Sequence, residues 1–168
     1  NNIPGDFIEC GVWKGGSSMM IAKTLIKKNI TDRNIYLYDT FEGMSEPTEN
    51  DKDYRGLDAN NQLKNSDKTD DESIWCYSPI EEVKNNMIST KYPIEKIHFV
   101  KGKVEETIPT TLPQQIALLR LDTDWYESTK HELVHLYPNL VKDGVLIVDD
   151  YGHWEGCRKA IDEYFKAN

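Results

Sequence analysis

Short runs of aliphatic and β-branched residues alternate along this chain with stretches whose apolar positions recur at helical spacing. That alternation is the pattern of a parallel α/β fold. The apolar runs predict strands over Asp6–Cys10, Asn34–Asp39, Lys96–Val100, Ile116–Asp122 and Val145–Asp149. Each is short and nearly continuous in apolar character, as a strand covered on both faces must be. Helices are predicted between them, over Ser17–Lys28, Pro79–Thr90, Tyr126–Val141 and Glu155–Phe165. The second carries its own start signals: Ser78 as N-cap, Pro79 at the first helical position, and Glu81 and Glu82 in the first turn, where the free amides favour negative charge. No internal repeat interrupts the pattern.

One stretch departs from it. From Glu42 to Tyr77 the chain is polar, acidic and poor in aliphatic residues, and it is too long for an ordinary connection. It reads either as a disordered insertion or as a lid. Its aromatic residues Tyr54, Trp75 and Tyr77, and its place just after a strand end, point to a lid over 42–77.

Composition narrows the function. The 168 residues suit one domain spanning 1–168. A net charge of -9 argues against a nucleic-acid partner, since a phosphate backbone needs clustered Lys and Arg. It leaves a cationic or neutral small ligand open. No run approaches the roughly 18 apolar residues of a membrane span. Cys10, Cys76 and Cys157 are widely spaced with no Cys-x-x-Cys pair, so a reducing, cytoplasmic setting is expected rather than a disulfide framework. The chain opens Asn1-Asn2-Ile3, so the missing signal peptide carries little weight. Assembly as a homo-oligomer is left open.

Two constellations carry chemistry. The first strand runs into Cys10-Gly11-Val12-Trp13-Lys14-Gly15-Gly16-Ser17-Ser18, a glycine turn that opens a helix. Glycine lets backbone approach a ligand closely, and helix N-terminal amides favour an anion. A side chain at Gly11 is therefore expected to crowd the ligand. The spacing is not the Gly-x-Gly-x-x-Gly of dinucleotide folds, which counts against a nicotinamide-dependent oxidoreductase. Glu9-x-Gly11-x-x-x-Gly15, with Ser17 two residues on, resembles the first motif of class I methyltransferases. Asp39 ends the second strand, where an acidic residue accepts ribose hydroxyls in doubly wound folds or else caps the next segment.

The fourth and fifth strands both end in carboxylates: Asp122 with Asp124, and Asp149 with Asp150. Parallel strands deliver these to one sheet edge. So close together they repel unless a cation sits among them, and oxygen-only donors suit Mg²⁺ or Mn²⁺. The alternative is that Asp124 and Asp150 cap the helices that follow.

His131-Glu132-Leu133-Val134-His135 matches the zinc-protease pattern His-Glu-x-x-His. Leu133, Leu136 and Leu140 would share the core face of the helix, with both histidines about 160° away and facing solvent. No third ligand follows at the usual spacing, so surface histidines are expected. His98 reads as a satisfied strand residue. His153 reads as a loop residue or a substrate contact.

Taken together the motifs resemble the macrocin O-methyltransferase family, whose members methylate sugar hydroxyls. The resemblance rests on Gly5–Gly16, Tyr38–Met44, Phe99–Gly102, Leu121–Thr129 and Val148–Tyr151, nearly the whole chain apart from the 44–77 loop. It implies a Rossmann-like, mostly parallel sheet of order 3-2-1-4-5 and the cofactor S-adenosylmethionine. Glu9, Gly11 and Ser17 would line the methionine moiety, Asp39 would hold the ribose, and Gly102, Lys103 and Val104 would border the adenine. Asp122, Asp149 and Asp150 would bind the metal, and Asp124 would be the general base toward a small hydroxylated acceptor. Two departures stand out. Trp125 replaces the catalytic lysine of catechol-type enzymes. The two further strands usual in this fold, and the N-terminal helical region of the family, are not in the chain, which therefore reads as a core. A non-catalytic S-adenosylmethionine-binding domain is the alternative from another class.

Overall fold

A computed structural model describes residues 3–168. Its framework is an all-parallel sheet of five strands: β1 (Asp6–Cys10), β2 (Ile35–Asp39), β3 (Ile97–Lys101), β4 (Ile116–Leu121) and β5 (Leu140–Val148), in the order 3-2-1-4-5. The helices are α1 (Gly16–Lys27), α2 (Ala59–Lys64), α3 (Ile80–Ser89), α4 (Val104–Thr107), α5 (Tyr126–His135) and α6 (Glu155–Ala167).

Side-chain alternation along the strands sorts them onto two faces. On β2, Ile35 and Leu37 meet Ala22 and Leu25 of α1 and Val83 and Met87 of α3. Tyr38 turns the other way, with Ile8 and Cys10 of β1, onto Val104 of α4, Leu133 of α5 and Leu136 just after it. Burial of such side chains is worth about 1.5–3 kcal/mol apiece against exposure and holds both layers on the sheet. The strand order reverses between β1 and β4, so a crevice opens outside their carboxyl ends.

Register fixes what lines that crevice. Cys10 pairs with Tyr38 on one side and Leu121 on the other, and Leu121 pairs with Val148. Gly11, Asp122 and Asp149 therefore each stand one residue past their strand, and Asp39 is the last residue of β2, all on one edge.

Several predicted boundaries need correction. The helix expected over 126–141 stops at His135, followed by a 3₁₀ turn at Tyr137–Asn139. Pro138 has no N–H and disfavours helix in the residue before it, so the α-helix cannot run through. Leu140 belongs to β5, which starts five residues earlier than predicted. Ile116 pairs with Leu140 and Leu118 with Val145, so the chain bulges between them, with Asp143 at φ 66°. The expectation of strands covered on both faces fails on this edge strand, where Val145 and Ile147 are 46% and 39% exposed. Ser78 does not cap α3; Pro79 holds that place and Ser78 Oγ bonds Glu82 Oε2 at 2.9 Å. Other ends differ by one or two residues.

The 42–77 segment folds onto the sheet edge. It contains α2, whose first turn is capped by Asp58 accepting from the Asn61 N–H at 2.9 Å. Ala59 and Leu63 pack with Trp125, Trp154 and Cys157 in a third apolar cluster. No described helix is long and apolar enough to cross a membrane.

Candidate active site

A cavity of about 570 Å³ opens at the carboxyl edge. Every residue singled out above for cofactor, metal or base lines it: Glu9, Gly11, Ser17, Asp39, Gly102, Lys103, Val104, Asp122, Asp124, Asp149 and Asp150. Trp13, Phe41, Cys76 and Asp124, on loops of this edge, have positive φ values of 47°, 52°, 44° and 68°. Such strain in non-glycine residues persists only where the surroundings impose it.

On the side of the glycine turn, the carboxylates mostly serve the protein's own backbone. Glu9 is 1% exposed. Its Oε2 accepts from the Ser18 hydroxyl and, at 3.1 Å, from the Ser18 amide, so it satisfies the start of α1 from inside. Burial raises its pKa, with Ser18 and Arg120 opposing. Asp39 Oδ2 accepts from the amides of Val12 at 2.6 Å and Trp13 at 3.2 Å, and Oδ1 from Phe41 at 2.6 Å. Burial again raises the pKa and these amides lower it. Asp39 thus braces the glycine turn and the loop after β2, and faces the cavity with the lone pairs that remain.

Gly11 has φ +80°, and a Cβ there would stand 2.5 Å from the Asp122 carbonyl carbon. A side chain at this position would meet β4's backbone before any ligand, which corrects the expectation of a ligand clash. Gly15 caps α1 in the left-handed conformation, and Gly102, at φ +139°, donates its N–H to the Asp39 carbonyl at 3.0 Å.

On the other side, Asp122, Asp149 and Asp150 each offer an oxygen within 4.8 Å of the others. Burial, with added repulsion from Asp149 and Asp150, raises the Asp122 pKa against the pull of Arg120. The Asp124 pKa is also raised, by burial first and then by Asp150, with which it shares a hydrogen bond. The capping alternative does not describe these residues. The N-cap positions of α5 and α6 are Trp125 and Trp154, without side-chain caps, and the Tyr126 amide goes to Asp51 at 2.8 Å. An all-carboxylate donor set fits a hard divalent cation.

Sequence reasoning missed several residues. Arg120 bridges Glu9, Asp122 and Asp149. Its position two residues before Asp122 puts both on one strand face, a signal that was readable. Met44, Ser45 and Cys76 of the 42–77 segment also line the cavity. Trp125 is buried and donates its indole N–H to the Ser45 carbonyl at 3.0 Å, so it anchors that segment where catechol-type enzymes have their lysine. His131 and His135 are half-buried and lie against each other with ring centroids 4.2 Å apart and planes tilted by 45°, not fully solvent-facing as the helical wheel implies. That wheel counted Leu140 as helical. Neither histidine joins the carboxylate trio, the metal-competent group found among the described residues. His98 sits on β3 and bonds Asn34 at 3.2 Å. His153 rests edge-on to Tyr54 and is not among the cavity-lining residues.

The family model described as "Macrocin-O-methyltransferase (TylF)" matches residues 1–168. Demethyldecarbamoylnovobiocin O-methyltransferase of Streptomyces niveus is 35% identical over 98% of the chain, and mycinamicin III 3''-O-methyltransferase of Micromonospora griseorubida is 30% identical over 98%. The chain spans 59% and 61% of those proteins, about three-fifths of their length. Among solved structures, the O-methyltransferase NovP superposes with a TM-score of 0.83 at 31% identity, over 99% of this chain and 65% of its own. The calicheamicin methyltransferase CalS11 shares the fold, with a TM-score of 0.71 at 22% identity over 96% of this chain and 64% of its own.

Proposed function

Because the chain belongs to the macrocin O-methyltransferase family, we propose that it is the core of an enzyme that transfers a methyl group from S-adenosylmethionine to a hydroxyl of a small acceptor, a sugar or glycoside, with Mg²⁺ or Mn²⁺ held by Asp122, Asp149 and Asp150. One observation carries the reading. A single cavity joins the glycine turn, where family members take the cofactor, to a carboxylate trio of metal-ligating type. The names of the relatives support the acceptor class: all are O-methyltransferases, and one is named for a rhamnosyl-tetracenomycin.

When bound, the cofactor supplies an electrophilic methyl group, and the cation supplies Lewis acidity that eases ionisation of the acceptor hydroxyl. The chain's residues do the rest. Gly11 and Ser17 border the methionine end, Asp39 the ribose, and Gly102, Lys103 and Val104 the adenine. Asp124 takes the hydroxyl proton on its carboxylate. Positioning and exclusion of water carry much of the acceleration. The 42–77 segment contributes Met44, Ser45 and Cys76 to the cavity wall and acts as the lid.

The test is calorimetry and turnover with the full-length protein. S-adenosylhomocysteine should bind in the micromolar range. Activity should vanish with a chelator and return with Mg²⁺ or Mn²⁺. Asp149→Asn should weaken metal binding much more than cofactor binding, whereas Asp124→Asn should spare metal binding and slow transfer. Full turnover in excess chelator would remove the metal from the reaction, and no cofactor binding would end the methyltransferase reading.

A further inference from the structure

Arg120 is the charged residue in a strand that otherwise reads Ile-Ala-Leu-Leu-Leu. Its backbone is paired with Glu9 on β1, and its side chain is 15% exposed. Nη1 lies 2.9 Å from Glu9 Oε1 and 2.5 Å from Asp122 Oδ2, while Nη2 lies 3.1 Å from Asp149 Oδ1. One guanidinium therefore spans the cavity from the carboxylate under the cofactor turn to two of the three carboxylates of the trio.

Both trio contacts use carboxylate oxygens on residues that the proposed metal would need. A guanidinium is planar, permanently charged and forked, so it can hold carboxylates at fixed separation as a cation does. We propose that Arg120 is a positioning residue that stands in for the divalent cation: it keeps Asp122 and Asp149 together when no cation is bound, competes with the cation for them, and stays tethered to the cofactor turn through Glu9. The inference rests on the metal reading above and extends it to a residue of opposite charge.

The sign of one substitution separates this from a purely structural role. If Arg120 merely shaped the cradle, its loss would weaken metal binding. If it competes, its loss removes a like charge beside the cation and frees two carboxylates, so binding tightens. The experiment titrates Mn²⁺ into the full-length protein without cofactor and reads free Mn²⁺ by electron paramagnetic resonance. Arg120→Met should bind Mn²⁺ at least about tenfold more tightly than wild type, with Arg120→Lys in between because it keeps the charge and loses the fork. The Met variant should also bind S-adenosylhomocysteine more weakly, since buried Glu9 loses its cationic partner and keeps its Ser18 contacts. A folded Met variant with equal or weaker Mn²⁺ affinity overturns the proposal. Should that variant not fold, nitrogen-detected resonances of the wild-type arginines carry the test. Saturating Mg²⁺ should shift the Arg120 Nε signal and speed rotation of its guanidinium, and an unchanged signal overturns the proposal. Mn²⁺ binding by the Met variant alone would uphold the competition and refute the metal reading for the native enzyme. No Mn²⁺ binding by either protein would refute both.

Discussion

Asp51→Asn should loosen the 42–77 segment from the body while leaving the sheet folded. Asp51 is fully buried, and each of its oxygens has a different client. Oδ1 accepts from the Tyr126 amide, the first of α5, at 2.8 Å. Oδ2 accepts from the Thr48 amide at 2.6 Å and the Thr48 hydroxyl at 2.9 Å. Asparagine keeps the shape but has one acceptor oxygen, so in either orientation its NH₂ faces a backbone N–H. One charge-assisted hydrogen bond is lost and a buried donor is left unsatisfied, which costs about 1.5–3 kcal/mol. The side chain cannot shift toward α6 to relieve this, because Gly156 is already packed against Asp51 Oδ1. For a domain of this size about 2 kcal/mol lowers Tm by roughly 4–8 °C. Calorimetry reads that shift, and hydrogen exchange localises it: residues 45–64 should exchange faster than in wild type while β1 and β4 hardly change. A variant that melts within about 1 °C of wild type with unaltered exchange would refute the account of how this segment is docked.

Gly11→Ala should destabilise the domain by more than about 3 kcal/mol, combining the cost of a positive φ with a collision against the Asp122 backbone, and should weaken metal and cofactor binding together; chemical denaturation near wild type would contradict it. Glu132 is fully buried, its Oε2 has no hydrogen-bond partner among the described residues, and its pKa is raised above the ordinary 4.5 chiefly by burial. As pH rises above 4.5 the unfolded chain loses a proton that the folded chain keeps, so wild type loses up to about 1.4 kcal/mol per pH unit until the folded value is reached. Glu132→Gln has no such proton and should gain on wild type as pH rises above the ordinary glutamate value of 4.5; a constant difference between their denaturation curves would show that Glu132 does not stay protonated. His131→Ala and His135→Ala should each cost about 1 kcal/mol of packing and leave Mn²⁺ stoichiometry unchanged; loss of bound metal in either would place a histidine in the metal site.

What the sequence made legible follows from what is local. Strand–turn–helix at Asp6–Ser18 and the paired Asp ends of β4 and β5 can be read because each element's pattern lies in one short window, and register then brings their ends together. The start of β5 was hidden because Leu140 continues the spacing of Leu133 and Leu136, so helical periodicity ran on past Pro138, the residue that stops it. The docking of 42–77 was hidden for a different reason. Asp51 and Tyr126 are 75 positions apart, and nothing in an acidic, aliphatic-poor segment marks which of its carboxylates will be buried. The strand-end and glycine-turn members of the cavity are legible in the sequence, but sequence reasoning misses Arg120, Met44, Ser45, Cys76 and the division of labour among the carboxylates. Glu9 and Asp39 were read as ligand contacts, while their carboxylates also hold amides and hydroxyls of the turn they follow or precede.

That division has an electrostatic consequence. On the β1–β2 side, backbone amides and hydroxyls disperse the charge of Asp39 and Glu9. On the β4–β5 side, Asp122, Asp124, Asp149 and Asp150 have Arg120 as their close cationic partner among the described residues, and Asp124 and Asp150 lean on a shared hydrogen bond instead. When these four carboxylates are ionised, the edge therefore carries more negative charge than Arg120 neutralises. Such a cavity favours cationic occupants. A divalent ion is one, and a sulfonium cofactor is another. Methyl transfer removes the sulfonium charge, so under the proposed function the same field that favours the cofactor favours the neutral thioether product less. Burial first, and repulsion among the carboxylates next, raise the pKa values of Asp122 and Asp124, and Arg120 contacts Glu9 on one side of the cavity and Asp149 on the other.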